Sequence, residues 1–443
     1  MIDKGCMMIS LCILFFAVSP ADALDVRLDV FGNANLDDII DEEDIAYVKD
    51  IMKGSAETTE LADANYDQEV DEEDIAQIER IINGTESSLT FIDIFGDAET
   101  VNKPINHVAA LGYIGPQLLR LIGAEDRMLP VVGPDYSNYP VFWGEISQWH
   151  SAGNTPPDVD FEYVLSLSPD AVQTNLEFLN YANDAGRKMK EEFHRNLPGI
   201  PLICLNAREP EHTSATVLIY GYIFDEEEKA RDFAAWHQET YNRIKRISDQ
   251  IPEEDKPEVL FNSHELGTKY TAGGSRYDQS LKLAGARNLI DKIVKEDSPF
   301  YGKTSVDVEP EWVMEQNPEY IFTSYLNPNS NAGFETEDVS GAAESVQAIS
   351  NQTEFSELDA IKNGNVYYID NFLVGGGGLN PIGAAYLGKL LHPEEFEEIK
   401  PDELLREYLA FYSTETEPKG VFLPEQRGTY SPLEFILLLM SHF

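Results

Sequence analysis

The feature that most constrains this chain is a long charged segment in its middle, DEEEKARDFAAWHQETYNRIKRISDQI, which runs from Asp225 to Ile251. Asp225 can cap its first turn, and Pro252 ends it. Strand and helix patterns alternate on both sides, so the segment is either a helical strut between two α/β lobes or an ordinary surface helix within one domain. Its apolar residues recur at the three- and four-residue spacing of a single helix face: Ala230, Phe233, Ala234, Tyr241, Ile244, Ile247 and Ile251.

The charge of the chain excludes one class of partner. Its formal net charge is -47, from 79 acidic and 32 basic residues among 443, and such a field repels nucleic acid and anionic lipid. The same acidic surface keeps a protein hydrated and suits cations. The length of the chain allows several separate cores, and it predicts two to three domains.

The amino terminus has the features of an export signal. Lys4 precedes the apolar run Met7 to Val18, and Ala21-Asp22-Ala23 places small residues where a signal peptidase cleaves. We therefore expect residues 1–23 to be removed and the mature protein to be secreted and associated with the cell surface. An uncleaved anchor is the alternative, although the run is short for a membrane span. The mature chain keeps Cys204 alone, so it forms no internal disulfide.

An internal repeat follows the signal. NANLDDIIDEEDIAYVKDIMKG begins at Asn33, and DANYDQEVDEEDIAQIERIING begins at Asp63. A loop with oxygen ligands at positions one, three, five, seven, nine and twelve wraps about six to eight oxygens around Ca²⁺, with a backbone carbonyl at position seven. The predicted ligands are Asn33, Asn35, Asp37, Ile39, Asp41 and Asp44 in the first loop and Asp63, Asn65, Asp67, Glu69, Asp71 and Asp74 in the second.

Each loop is followed by a short helix pattern, and the pair resembles the dockerin module, which binds a cohesin partner. The resemblance covers residues 24–86 and implies two Ca²⁺ ions and a cohesin-bearing partner. The glycine usual at position six is replaced by Asp38 and Gln68, where a side chain costs roughly 1 kcal/mol of strain. Because Asn33 replaces a carboxylate at position one, we expect the second loop to bind Ca²⁺ more securely. Two helix N-caps in an acidic protein are the alternative interpretation.

The same order of elements occurs on both sides of the charged segment. Residues 90–210 contain LLRLIGAEDRM and FEYVLSLSPDAV, which LKLAGARNLI and PEWVMEQNPEYI repeat within residues 257–425. Strands that alternate with helices are typical of parallel sheets. We therefore predict an α/β fold with two Rossmann-like lobes joined by a long helix over residues 211–256 and preceded by the small α-helical calcium-loop domain. Residues 426–443 form a tail.

The chain resembles the helix-hinged substrate-binding proteins of ABC importers, the class that captures ferric siderophores, haem and cobalamin. The resemblance covers about Thr90 to Glu425 and depends on segments such as INHVAAL, FEYVLSLSPDAV and TAGGSRYDQSLKLAGA in this order. It implies a metal-chelate ligand in a cleft between the lobes and an ABC permease as partner. It also implies one glutamate on each lobe that pairs with permease arginines, and by position these are Glu162 and Glu311.

Ligands of open α/β sheets bind beyond the carboxyl ends of the strands. Aromatic faces there can hold a flat or apolar chelate, Arg can pair with its carboxylates, and Tyr or His can reach the metal. Packing is the alternative role for Tyr and Trp. The turn Gly375 to Gly378 is predicted to be flexible and to lie at the cleft mouth. The ligand candidates are Tyr113, Tyr136, Tyr139 and Trp143 in lobe one and His264, Tyr270 and Arg276 in lobe two.

Catalytic signatures are missing from the sequence. It contains no His-x-x-x-His zinc spacing, no phosphate loop with Lys, and no Ser or Cys nucleophile signature. We therefore predict a binding protein that catalyses no reaction. Two alternatives stay open: a dockerin-bearing extracellular glycoside hydrolase, whose two carboxylates this acidic chain could supply, and a structural cell-surface protein.

Overall fold

The computed structural model describes residues 26–443 except 113, 135, 175–183, 264–267, 327–329, 413–419, 421 and 424–443. The predicted signal peptide and the C-terminal tail therefore lie outside the described residues. Within the described part of the chain, every helix is too short or too polar to cross a membrane.

The amino-terminal unit consists of two short helices, α1 (Glu42–Met52) and α2 (Glu72–Ile82). Each starts at an aspartate N-cap, Asp41 or Asp71, and the aspartate at its third position bonds back to the cap, which satisfies amides that a helix start leaves open. A hairpin follows, formed by β1 (Ser88–Ile92) and β2 (Ala98–Asn102). The Phe31 N–H donates to the Thr90 carbonyl at 2.9 Å, so the unit is joined to this hairpin.

Lobe one is built on a parallel sheet of five strands in the order β5-β4-β3-β6-β7. Its buried apolar strands are covered by helices, as parallel sheets require. The strands are β3 (Val108–Ala110), β4 (Met128–Val132), β5 (His150–Ser151), β6 (Ala171–Gln173) and β7 (Leu202–Ile203). The helices are α3 (Gly115–Leu121), α4 (Pro140–Trp143), α5 (Phe161–Ser166) and α6 (Asp184–Asn196).

Two helices, α7 (Pro210–Phe224) and α8 (Glu227–Gln250), connect the lobes and pack along each other. At Gly221 they are so close that an added Cβ would lie 2.6 Å from the Ala230 Cβ. The predicted N-cap was wrong: Asp225 is the C-cap of α7, in the left-handed conformation (φ 56°, ψ 41°). The predicted stripe of α8 does face inward, and Pro252 follows its end.

Lobe two has a parallel sheet of four strands in the order β10-β8-β12-β13 and an antiparallel pair, β9 with β11. Its strands are β8 (Glu258–Asn262), β9 (Lys269–Tyr270), β10 (Arg287–Asn288), β11 (Val306–Asp307), β12 (Tyr320–Thr323) and β13 (Val366–Tyr368). Its helices are α9 (Arg276–Leu283), α10 (Pro310–Gln316), α11 (Ser340–Ser350), α12 (Asp359–Lys362), α13 (Asn371–Val374), α14 (Asn380–Leu391) and α15 (Pro401–Ala410).

The helix α8 packs against α3 in lobe one and against α9 and α14 in lobe two, so it is a strut between lobes. The sequence echo between the lobes is structural as well. Ser168 and Asn317 occupy equivalent left-handed positions (φ 54° and 48°), each directly before a proline. The predicted α/β fold with two parallel-sheet lobes is confirmed.

Candidate binding site between the lobes

The two lobes meet where loops leave the carboxyl ends of their strands. The Gly377 N–H of lobe two donates to the Ala207 carbonyl, which follows β7 in lobe one, at 3.0 Å. An added Cβ at Gly377 would lie 2.3 Å from the Gln117 Oε1, and one at Gly378 would lie 2.6 Å from the Phe233 ring. All four glycines of the 375–378 turn are buried. The turn is therefore a close-packed contact between lobes, which corrects its prediction as a flexible turn at the cleft mouth.

The aromatic loop after β4 contains three predicted ligand residues. Tyr136 and Trp143 are almost fully buried, with ring centroids 4.6 Å apart, and the Tyr136 hydroxyl donates to the Gly112 carbonyl at 2.8 Å. Tyr139 is half-buried and meets the ring of Phe372, which belongs to lobe two, at 4.8 Å. The loop thus lies at the lobe boundary, where its rings pack against one another and against the opposite lobe.

A carboxylate of lobe two holds the same loop. Glu335 accepts hydrogen bonds from the Val141 and Phe142 amides, the open donors of the first turn of α4, at 3.0 Å each. The ring of Phe142 stacks on Phe334 with a centroid distance of 4.8 Å. These contacts close this side of the cleft.

Arg120 is a boundary residue that the sequence did not identify. Its guanidinium lies over the rings of Phe142, Trp143 and Tyr412, at 5.4, 5.4 and 4.9 Å from their centroids, and donates to the Phe142 carbonyl at 3.0 Å. Cation–π contacts of this kind fix rings in place. In the segment LLRLIG, an arginine between leucines carries no signal that distinguishes it from a surface residue.

Asp370, which directly precedes α13, is a second residue that the sequence did not identify. Its buried carboxylate accepts from the Phe372 amide at 2.9 Å and from the Tyr368 hydroxyl at 3.0 Å. Burial raises the pKa of Asp370 to about 6, and the nearby carboxylate of Glu335 adds to the rise.

The predicted ligand residues of lobe two differ in their burial and in their contacts. Tyr270 is 2% exposed and packs in the core of lobe two rather than on an open cleft surface, and burial raises its pKa. Arg276 begins α9 and is half-buried over the ring of Tyr277, to whose hydroxyl it donates at 2.7 Å. The Tyr277 hydroxyl donates in turn to Asn371 at 2.6 Å, so Arg276 is linked to the start of α13. Tyr113 and His264 lie outside the described residues.

The two predicted docking glutamates occupy equivalent places in the two lobes. Glu162 lies in the first turn of α5, Glu311 lies in the first turn of α10, and both side chains are exposed. Exposed carboxylates at helix starts are available for pairing with arginine. Their role in docking stays a prediction.

The two predicted calcium loops share one hydrogen-bonding pattern. The carboxylate at position twelve, Asp44 or Asp74, is fully buried and accepts from the amides at positions three and nine, at 3.1 and 2.8 Å in both loops. Burial, together with the charges of other loop carboxylates, raises the pKa of both carboxyls, to about 7 for Asp44. A buried carboxylate among like charges is stabilised by a cation, so the donor set fits Ca²⁺.

The backbone conformation at position six differs between the two loops. Gln68 has a left-handed backbone (φ 78°), as a strained substitute for glycine should. Asp38 is absent from the left-handed residues of the described chain, which corrects the prediction of strain there. Its buried carboxylate accepts from Arg231 of α8 at 2.9 Å, and the Ile40 amide donates to the Tyr222 hydroxyl of α7 at 2.8 Å.

The family model described as periplasmic binding protein matches residues 108–372, which is more than half of the chain. The chain therefore belongs to the periplasmic binding protein family. Its members are the solute-binding partners of ABC permeases and not enzymes, and they act outside the cytoplasm.

Solved structures share this fold. The TroA-like periplasmic binding protein FepB of Veillonella parvula is 20% identical with a TM-score of 0.61 and covers 76% of this chain and 99% of its own. The Helicobacter pylori CeuE complex with Ni and His is 20% identical with a TM-score of 0.57 and covers 74% and 96%. The molybdate-binding MolA of Haemophilus influenzae is 16% identical with a TM-score of 0.58 and covers 74% and 99%. No curated protein matches the chain.

Proposed function

We propose that this protein captures a metal chelate of the ferric siderophore, haem or cobalamin type in the cleft between its lobes and delivers it to an ABC permease. The observation that carries the proposal is the convergence of aromatic and arginine side chains from both lobes at one boundary, on a fold that also holds Ni with His in one relative and molybdate in another. Large flat or anionic ligands are bound by such side chains.

Direct titration tests this proposal. The full mature chain, with excess Ca²⁺, is titrated with ferric chelates, haem and cobalamin while its tryptophan fluorescence is recorded. We expect one of these chelates to saturate the protein at one equivalent. Quenching is expected because Trp143 lies at the lobe boundary. If none of the three classes binds in a saturable manner, the proposed ligand class is wrong.

The residues of the cleft are tested with the chelate that binds best. Arg276→Ala should weaken its binding about tenfold to a hundredfold, since a hydrogen bond to a charged ligand contributes roughly 1.5–3 kcal/mol. Tyr113→Ala is the second test of the same cleft. Arg287→Ala is a matched control, because this half-buried arginine lies on β10, the edge strand of the lobe-two sheet, and pairs with Glu258 of the neighbouring strand β8. Unchanged affinity in both test variants, with the fold intact, would move the site elsewhere.

Delivery depends on the docking glutamates in this proposal. Reversal of both Glu162 and Glu311 to Lys should abolish uptake through the permease and leave chelate affinity unchanged, because each would then repel the arginines with which it pairs. Glu315→Lys, an exposed glutamate on the same helix as Glu311, is the control. Normal uptake by the double variant would contradict the docking role.

The proposal includes a tether: two Ca²⁺ ions order the amino-terminal unit, which binds a cohesin-bearing partner and holds the secreted receptor at the cell surface. Its support is the hydrogen-bonding pattern shared by the two loops. A cohesin domain immobilised on a sensor should retain the protein with Ca²⁺ and release it with chelator. Equal retention in both conditions would contradict a calcium-dependent tether.

A further inference from the structure

Two acceptor motifs for N-linked glycosylation occur in the sequence, Asn83-Gly-Thr85 and Asn351-Gln-Thr353. In proteins that act outside the cytoplasm, the pattern Asn-x-Ser/Thr, with any residue except proline in the middle, is where a glycan is attached to the asparagine amide. Three residues of sequence do not distinguish a motif that is used from one that is not. The surroundings of the two asparagines in the fold do distinguish them.

Both motifs begin at the same kind of position. Asn83 is the C-cap of α2 and Asn351 is the C-cap of α11, and their backbone angles are nearly identical (φ -92°, ψ 0° and φ -90°, ψ 0°). The asparagine and the threonine are exposed in both motifs. The comparison therefore turns on the path of the chain after the cap and on the contacts of the two side chains.

The first motif folds back onto its own helix. Gly84 has a left-handed backbone (φ 60°), and the Thr85 amide donates to the Arg80 carbonyl at 2.9 Å. The Asn83 side-chain amide donates to the Glu79 carbonyl at 2.6 Å, and the Thr85 hydroxyl donates to the Arg80 carbonyl at 3.4 Å. Both polar side chains of this motif are thus bonded to carbonyls in the last turn of α2.

The second motif leaves its helix. Gln352 has an extended backbone (φ -66°, ψ 120°), so Thr353 begins a new turn and does not return to α11. Within the described chain, neither the Asn351 side-chain amide nor the Thr353 hydroxyl makes a hydrogen bond. Ile349 and Phe355, on either side of the motif, are 3% and 1% exposed and pack in the core of lobe two. The motif is therefore anchored at both ends and presents its two polar side chains to solvent.

We infer that Asn351 carries an N-linked glycan in the secreted protein and that Asn83 does not. The sugar donor belongs to the class of sugars activated on a lipid phosphate. Because the family acts outside the cytoplasm, the chain reaches the side of the membrane on which such a transfer takes place. The inference goes beyond the proposed function and holds for any ligand of the cleft.

The transfer joins the Asn351 Nδ2 to the anomeric carbon of the sugar. An N–C bond forms, the bond from that carbon to the phosphate oxygen breaks, and the lipid phosphate leaves with the electron pair. The proton lost from Nδ2 passes to a base of the transferring enzyme. Since the motif specifies a hydroxyl two residues after the asparagine, this enzyme must contact both side chains. The Asn83 amide would first have to give up its bond to the helix, whereas the Asn351 amide has none to break.

Mass spectrometry of the protein secreted by the cells that make it tests the inference. The intact mass and the masses of the peptides that contain the two motifs are measured for the wild type and for variants from the same cells. Asn351→Gln and Thr353→Ala should each lose the whole mass of the glycan, because each removes a side chain that the motif requires. Thr353→Ser is the matched control, since it keeps the hydroxyl and should keep the glycan. Asn83→Gln should leave the glycan mass unchanged.

A wild-type Asn351 peptide of unmodified mass would overturn the inference. Equal modification of the Asn83 peptide would overturn it as well, because the surroundings of the two motifs would then make no difference. A glycan that persists in Thr353→Ala would show attachment that does not depend on the motif, which also contradicts the inference. The two wild-type peptides decide the question even where a variant fails to fold.

Discussion

The two calcium loops have nearly the same internal bonds and very different surroundings. The first loop, residues 33–44, is buried or half-buried except at two positions, and Asp38 and Ile40 are hydrogen-bonded to the helices that connect the lobes. The second loop, residues 63–74, exposes half of its side chains, including Tyr66 at 49%. The first copy of the duplicated motif is thus packed against the receptor, whereas the second copy presents more of its side chains to solvent.

This difference changes what each ion would do. In the first loop, Ca²⁺ would hold a segment that packs on α7 and α8, so its effect should extend to the strut between the lobes. In the second loop, Ca²⁺ would order a local surface. Asp63 replaces the neutral Asn33 at position one, and its two oxygens accept from the Asp67 and Gln68 amides at 2.9 and 2.8 Å. The second loop should bind its ion more tightly, but its loss should disturb less of the molecule.

Removal of Ca²⁺ should have the largest effect. A site held at about 1,000 times its dissociation constant contributes roughly 4 kcal/mol of stability, and loss of the ion also leaves the loop carboxylates to repel one another. Asp44→Ala should increase hydrogen exchange in both the first loop and the α7–α8 pair, whereas Asp74→Ala should increase it in the second loop alone. Asp249→Ala, an exposed aspartate of α8, is the control.

Hydrogen exchange and thermal unfolding with Ca²⁺ and with chelator measure this. Chelator that leaves the exchange of both loops unchanged would show that the calcium assignment is wrong. If the increase in hydrogen exchange extends equally far from the loop in Asp44→Ala and in Asp74→Ala, the two loops are equivalent and the comparison fails.

The ion pair between Asp38 and Arg231 should have the next largest effect. Arg231→Ala leaves the Asp38 carboxylate, whose side chain is 3% exposed, without its charged partner. We expect a loss of about 2–3 kcal/mol in the free energy of unfolding, at the low end for a buried pair because Arg231 itself is about one-third exposed. Asp38→Ala with Arg231→Ala should cost less than Arg231→Ala alone.

Urea unfolding with Ca²⁺ present measures this loss. Lys245→Ala is the control on the same helix, since its exposed pair with Asp249 should contribute under about 0.5 kcal/mol. A loss in Arg231→Ala no larger than in this control would mean that the first loop is not held by α8.

The loops were predictable from the sequence because their geometry is local. Spacing within twelve residues fixes which oxygens converge, and the N-caps and helices follow from the same residues. The contact of Asp38 with Arg231 joins positions that are far apart in the chain, so no spacing indicates it. The strain prediction was right for Gln68, which has a left-handed backbone, and wrong for Asp38, whose side chain makes that contact.

The helices also show that only local patterns can be predicted from the sequence. The amphipathic α8 was predicted within a few residues because one face is polar, whereas α7 is apolar on nearly every face and has no periodicity to detect. Tyr136 and Trp143 follow strand β4 at the lobe boundary, although Trp143 lies in the short helix α4 and not in a loop, and residue type does not separate a ligand contact from packing between lobes. The position of Arg120 at the lobe boundary is set by the fold, and no pattern in the sequence indicates it.

The pH dependence of calcium stabilisation should differ from that of ordinary exposed aspartates. Burial and like charges raise the pKa of Asp44 to about 7 in the metal-free fold. A raised pKa means that Asp44 stabilises this fold below about pH 4 and that this contribution is lost as the pH rises through about 7. Ca²⁺ needs the ionised form, so the stability that Ca²⁺ adds should be small near pH 5 and full near pH 8.

Thermal unfolding with Ca²⁺ and with chelator at about pH 5 and about pH 8 measures this change. Asp44→Asn should raise the metal-free stability at the higher pH and reduce its pH dependence, whereas Glu42→Gln, at an exposed residue of α1, should change neither. A calcium increment that is equal at both pH values would contradict the buried charge at position twelve.

The smallest expected effect distinguishes the two loops most clearly, because a change to glycine at position six should raise the stability in one loop and lower it in the other. Gln68 holds a left-handed backbone that glycine adopts at little cost, so Gln68→Gly should stabilise the second loop by about 0.5 kcal/mol, which is the strain relieved less the added entropy of the unfolded chain. Asp38→Gly relieves no such strain and removes the partner of Arg231, so it should destabilise the protein. Urea unfolding with Ca²⁺ present measures both variants against the wild type. If both are stabilising, the glycine rule governs position six in both loops, and the contact with α8 does not distinguish the first loop from the second.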